Sequence, residues 1–116
     1  MRLEFYQKPT CTTCRKVKKE LEDASANFES IDYYEKKLTK SALKELLKKL
    51  NLKPADILRK KEPIYRDLKL SSREVSADEL IELMVQHPDL IERPIVVKGS
   101  KAVLARPAEK VRELLS

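Results

Sequence analysis

The sequence predicts a mixed α/β fold with strands near both ends of the chain and helices between them, and three observations carry that prediction. Leu3 and Phe5 alternate with polar neighbours, and after a helical stretch the extended pattern resumes at Phe28, Ile31 and Tyr33. The middle of the chain is dominated by leucines at helical spacing. Its last third holds two short apolar runs on either side of the only glycine, Gly99.

Each element follows in order. Leu3 and Phe5 mark the first strand, which Lys8-Pro9-Thr10 breaks. Val17, Leu21 and Ala24 then recur at helical spacing, and Phe28 to Tyr33 form the second strand, so the first third reads as a β-α-β unit with parallel strands. Leu43, Leu46, Leu47 and Leu50 line one face of a helix that Asn51 to Pro54 ends, and Ala55 to Leu58 reads as a short second helix. Glu62 to Arg73 is a short irregular or helical piece that packs through Pro63, Tyr65 and Leu68. Ser76-Ala77-Asp78-Glu79 has the form of a capping box opening a helix whose buried face is Leu80, Leu83 and Met84. Pro94-Ile95-Val96-Val97 and Ala102-Val103-Leu104-Ala105 form a hairpin across Lys98-Gly99-Ser100-Lys101. Pro107 suits the first position of a closing helix carrying Val111, Leu114 and Leu115.

Composition narrows the class. At 116 residues the chain is expected to be a single domain, and no apolar stretch is long enough to span a membrane. Nothing behind Met1-Arg2-Leu3-Glu4 resembles a signal peptide, so a soluble, cytoplasmic protein is expected, with no membrane partner. Lysine plus arginine exceed aspartate plus glutamate by 25 to 19, a net charge of +6 that favours an anionic partner or substrate. Charged residues make up 38% of the chain and mostly coat helix faces. No basic tail or nucleic-acid-binding motif is present, so no direct nucleic-acid partner is expected. Two cysteines and one histidine are too few for a closed zinc site within one chain, and no metal is expected.

The two cysteines carry the chemistry. Thr10-Cys11-Thr12-Thr13-Cys14-Arg15 places a C-x-x-C between the first strand and the first helix. Cys11 then sits at a helix N-terminus, where free backbone N–H groups and the positive end of the dipole favour a thiolate. Cys14 lies one turn further on and can close a redox-active disulfide with Cys11 once the first sulfur has reacted. Lys8 and Arg15 flank the thiols and are candidates either for lowering a cysteine pKa or for plain solvation. Arg59, Arg93 and Arg106 each stand at an element boundary, where guanidinium forks can converge on an oxyanion, although arginines at such places commonly face solvent. His87 reads as a helix-terminal cap, the tyrosines as core-edge residues, and Asp32 and Glu62 have no evident partner.

Cys11, Ile57-Leu58-Arg59-Lys60, Gln86-His87-Pro88, Arg93-Pro94-Ile95-Val96-Val97 and Ala105-Arg106-Pro107 together resemble the ArsC family of glutaredoxin-linked arsenate reductases, from Phe5 to Leu115. The resemblance implies a thioredoxin-like mixed β-sheet, about 1–35 and 90–116, with an inserted helical subdomain at about 36–89. It implies that Cys11 attacks a small oxyanion held by Arg59, Arg93 and Arg106, and that Pro94 is the cis-proline facing that cysteine. No tightly bound cofactor is implied. The electron donor would be glutathione with glutaredoxin, or thioredoxin.

Two positions depart from the family pattern. Gln7 stands where these reductases often have histidine; it can donate a hydrogen bond but carries no charge, which shifts thiolate activation to the helix end and the arginines. Cys14 stands where serine is common, and opens the internal disulfide route. The C-x-x-C is also similar to that of the Spx-type regulators, which share the fold and bind RNA polymerase. Arg106 and the absence of glycine from Asn51-Leu52-Lys53-Pro54-Ala55 favour the reductase over that alternative. A glutathione-dependent thiol oxidoreductase that does not act on arsenate is the third reading.

Overall fold

A computed structural model describes residues 2–115. The chain gathers into two compact units, Met1–Lys36 with Arg93–Ser116, and Lys37–Glu92. The first is a thioredoxin-like mixed sheet of four strands in the order β2-β1-β3-β4, with β1 Leu3–Gln7, β2 Phe28–Asp32, β3 Ile95–Lys98 and β4 Lys101–Leu104. β1 runs parallel to β2 and antiparallel to β3, and β3 and β4 form the hairpin, with Lys98 opposite Lys101 and Gly99 at φ 62° in the turn. β2 and β4 are therefore the edges of the sheet.

One core holds this unit together. Alternation turns Leu3 and Phe5 of β1 inward, and Val96 stands opposite Phe5 in register. Helix α1, Thr12–Asp23, lays Cys14, Val17 and Leu21 on that face at helical spacing, while Ala24, expected to join them, is exposed at the helix end. Burying side chains such as Leu21 completely makes each one worth about 2–5 kcal/mol against truncation to alanine.

The closing segment differs from expectation. Ala108–Leu114 is a 3-10 helix and Pro107 is its N-cap, not its first helical residue. The spacing explains the tighter winding, because buried Ala108, Val111 and Leu114 recur every third residue and three residues per turn stack them on one edge. Leu115 is only partly buried. Lys98 Nζ donates to the Leu114 carbonyl at 3.0 Å, and Arg112 grips Glu20 of α1 through two hydrogen bonds of 2.8 and 2.7 Å.

The second unit is helical: α2 Lys40–Leu50, α3 Pro63–Asp67 and α4 Ala77–Gln86. Thr39 caps α2 by accepting from the Ala42 N–H, and Leu43, Leu46 and Leu47 are buried, with Leu50 partly so. At α4 the serine half of the capping box forms, Ser76 Oγ accepting from the Glu79 N–H at 3.1 Å, while the Glu79 carboxylate lies 3.6 Å from Arg73. Its fully turned-in face is Leu80, Ile81 and Met84, with Leu83 at the margin. The short helix expected at Ala55 to Leu58 is a 3-10 turn at Pro54–Ile57. Leu58 instead pairs antiparallel with Ile91, a bridge flanked by Arg59 N–H to Leu90 carbonyl and Glu92 N–H to Ile57 carbonyl, both 2.8 Å. His87 ends α4 as expected, its N–H reaching the Leu83 carbonyl. Among the described residues no helix is long and apolar enough to cross a membrane.

With one glycine in the chain, the helices end on other residues. α1, α2 and α3 close through left-handed Ser25 (φ 53°), Asn51 (φ 58°) and Lys69 (φ 55°). In each case the next N–H bonds back five residues, Ala26 to Leu21, Leu52 to Leu47 and Leu70 to Tyr65. Asparagine tolerates that conformation; serine and lysine carry a Cβ penalty. Ser25→Gly is therefore expected to stabilise the protein by roughly 0.5–1 kcal/mol, read as a higher urea midpoint at constant slope. An unchanged or lower midpoint would show that Ser25 bears no strain.

Candidate functional site

The chain end of β1 delivers the first thiol. The break at Lys8-Pro9-Thr10 turns the backbone, the Cys11 N–H bonds to the Lys8 carbonyl at 3.0 Å, and Cys11 takes the N-cap of α1 with φ −81° and ψ 125°. No acidic residue lies in the first turn, so the N–H groups at the start of the helix face the sulfur with their positive field intact. Cys11 is partly exposed, Cys14 is 1% exposed, and both are free thiols.

The two sulfurs have opposite proton affinities. Burial pushes the Cys11 thiol up, but the Cys14 backbone N–H, the Cys14 thiol and the Arg93 guanidinium outweigh it and bring Cys11 below its ordinary value. Burial pushes Cys14 up to about 12; a hydrogen bond from the Lys8 backbone opposes this, and the neighbouring Cys11 sulfur adds to it. Cys11 is thus the more readily ionised of the two, and Cys14 a protonated thiol within hydrogen-bonding reach of it.

Arg93 is the cation beside Cys11. It is 7% exposed, the one buried charged side chain among the described residues, and it precedes Pro94 across a cis peptide bond. Its guanidinium donates to the Tyr34 hydroxyl at 3.0 Å and lies 5.8 Å from the centre of that ring. Arg106 joins from the end of β4, its guanidinium donating to the Arg93 carbonyl at 2.8 Å, and the Arg106-Pro107 bond is also cis. Lys8 Nζ sits 4.7 Å above the Tyr34 ring, and Arg15 reaches the Pro9 carbonyl at 3.4 Å.

The first unit therefore brings Cys11, Cys14, Arg93 and Arg106 together. Gln7 ends β1 and lines a cleft of about 390 Å³ with Cys14, Arg15, Lys18 and Ser30. Arg59 belongs to the helical unit, where its guanidinium bonds Glu62 at 3.1 Å and Glu92 at 3.3 Å. Glu62, which has no evident partner in its sequence context, is thereby paired. Asp32, likewise unassigned from sequence, accepts the backbone N–H groups of Tyr34 and Glu35 at 2.9 and 3.3 Å, closing the turn that presents Tyr34. Tyr34 is the residue that sequence reasoning passes over: periodicity puts it at a core edge, and only the Asx turn before it hints at a fixed orientation. Among the described residues no group of three or more His, Cys, Asp or Glu side chains gathers as a metal ion would require.

Comparison with known proteins fits this geometry. The ArsC family model matches residues 6–114. An arsenate reductase from Vibrio cholerae has the same fold, with a TM-score of 0.92, 36% identity and 97% of each chain covered. The arsenate reductase of Escherichia coli is 34% identical over 97% of this chain and 80% of its own length. Regulatory protein MgsR of Bacillus subtilis is 31% identical over 95% of this chain and 88% of its own. A near-complete match to the family model and relatives above 30% identity along nearly the whole chain lead to one conclusion: this chain belongs to the ArsC family.

Proposed function

We propose that the protein is an arsenate reductase-like thiol oxidoreductase, in which the whole 1–116 chain works as one ArsC-like domain. The observation that carries this reading is a Cys11 thiol of lowered proton affinity beside the buried guanidinium of Arg93. Arsenate is a tetrahedral oxyanion, and Arg93, Arg106 and Arg59 offer it fixed positive charge and paired N–H donors. The Cys11 thiolate attacks arsenic, an As–S bond forms, and one arsenate oxygen leaves as water with arsenic still pentavalent. Cys14 then attacks the Cys11 sulfur, the S–As bond breaks, and its electron pair stays on arsenic, which departs as arsenite. The Cys11–Cys14 disulfide left behind takes two electrons from glutathione and glutaredoxin or from thioredoxin.

The electrostatics order these steps. The negative sulfur of Cys11 helps hold the Cys14 proton on. Esterification removes that charge, and Cys14 becomes easier to deprotonate when its thiolate is needed. Gln7 and Pro94 support the site, Gln7 as a hydrogen-bond donor and Pro94 by shaping the backbone that carries Arg93.

Three outcomes test this reading. Arsenate-dependent NADPH oxidation coupled to either donor chain is expected to vanish in Cys11→Ser and to fall about a hundredfold in Arg106→Ala, the loss of one charge-stabilising donor. Cys14→Ser is expected to abolish the thioredoxin-coupled rate; full retention would remove Cys14 as the resolving thiol. Alkylation of Cys11 by iodoacetamide is expected to have a midpoint below the roughly 8.5 of an ordinary cysteine, since the thiolate is the reacting form. Arg93→Gln should raise that midpoint, and an unmoved midpoint would mean that Arg93 does not activate the thiol.

Similarity to MgsR favours a second reading, a redox-switch regulator in which the same cysteine pair controls binding to RNA polymerase. Retention of the protein on the immobilised carboxy-terminal domain of the polymerase α chain, together with absent arsenate turnover, is the result that selects it.

A further inference from the structure

The helical unit carries a concentration of positive charge built from residues other than the cysteines and arginines discussed above. A concave cavity of about 510 Å³ is lined by Lys60, Lys61, Arg66 and Lys69, which come from the residues just before, within and just after α3. All four side chains are exposed, and among the described residues none of the four forms an ion pair. The one carboxylate on the wall, Glu62, is engaged by Arg59 at 3.1 Å. Ser71 and Ser72 complete the rim, and the Ser72 hydroxyl donates to the Lys69 carbonyl at 3.1 Å, which fixes the turn that holds the Lys69 backbone in its left-handed conformation.

The backbone brings these cations to one cavity. Lys60, Lys61, Arg66 and Lys69 fall within ten residues, folded around a five-residue helix whose C-terminal turn is closed by Leu70 N–H to Tyr65 carbonyl at 3.2 Å. Like charges so placed repel one another unless an anion occupies the space between them. The volume falls within the range of small-molecule pockets, about 300–1,000 Å³. A singly charged ion would leave most of the charge unmatched, whereas a chain of phosphoryl groups matches several cations at once.

We infer that this cavity is a binding site for a small, multiply charged phosphoanion, of the polyphosphate or nucleoside polyphosphate type. The site uses none of Cys11, Arg59, Arg93 or Arg106, so it goes beyond the reductase reading and stands or falls independently of it. The polyphosphate chain supplies the shared chemistry, and its two sources differ in whether a nucleoside is attached.

The experiment is amide chemical-shift mapping of the full chain with inorganic tripolyphosphate, repeated with ATP and with orthophosphate, alongside titration calorimetry. Shifts concentrated at residues 60–72, with tripolyphosphate binding more tightly than orthophosphate, support the site. Equal affinity for ATP assigns the ligand to the phosphate chain alone, and tighter ATP binding assigns it to a nucleotide. Lys61→Gln/Arg66→Gln, which alters two exposed side chains, is expected to weaken tripolyphosphate binding about tenfold and to flatten its salt dependence. Thermal unfolding of that variant checks that it folds. No binding, shifts confined to residues around Cys11, or the same affinity in the folded double variant would overturn the inference. Wild-type salt dependence supplies a second readout, and an affinity indifferent to ionic strength would overturn it as well.

Discussion

A guanidinium taken out of water needs partners for its charge, and Arg93 meets them at the end of the sheet where the thiols lie. The Tyr34 hydroxyl accepts one donor, the Tyr34 ring covers the cation, and the Cys11 sulfur shares its field. Arg106 is then fixed through the carbonyl of the same residue. Removing any of these partners leaves a buried charge less well satisfied, so the Asp32 turn, the Tyr34 ring and the end of β4 all act on the chemistry of one sulfur without touching it. The arrangement is a preorganised positive environment beside the Cys11 sulfur.

The two thiols differ because the helix separates them. Cys11 caps α1 at its positive end, partly exposed and packed against the edge of the core, while Cys14 lies on the inward face with Val17 and Leu21. Cys14 is therefore a core residue as well as a thiol, and the packing that stabilises the sheet unit also keeps its proton in place. Replacing it with a polar side chain would disturb both. The pair is asymmetric because one sulfur is partly exposed and the other fully buried.

Local periodicity makes the sheet unit legible. Leu3, Phe5, Val17, Leu21 and the apolar run from Ile95 to Val97 announce their elements because each buried face repeats within a few residues, and Gly99 marks the hairpin. The closing 3-10 helix is not legible in the same way, since Val111 and Leu114 fit either helical period and Ala108 decides between them only when its burial is known. Leu58 reads as helical from its neighbours because its bridge partner, Ile91, is far away in sequence. At the candidate site the thiols and the arginine positions stand out by residue type and by resemblance. Tyr34 and Glu62 do not, because their roles depend on which guanidinium they meet, and nothing along the chain records that. Ser25 and Lys69 are hidden for a related reason: neither residue type signals a left-handed backbone.

The edges of the sheet have a consequence for self-association. An outermost strand offers unpaired backbone groups to any other extended chain, and long, flat apolar edges seed aggregates. Here β2 is five residues long and carries Glu29 and Asp32, and β4 is four residues long and begins at Lys101. Short length and charge together make both margins poor templates for adding a foreign strand. Opened forms of the chain would therefore find little on either margin from which to nucleate a fibril.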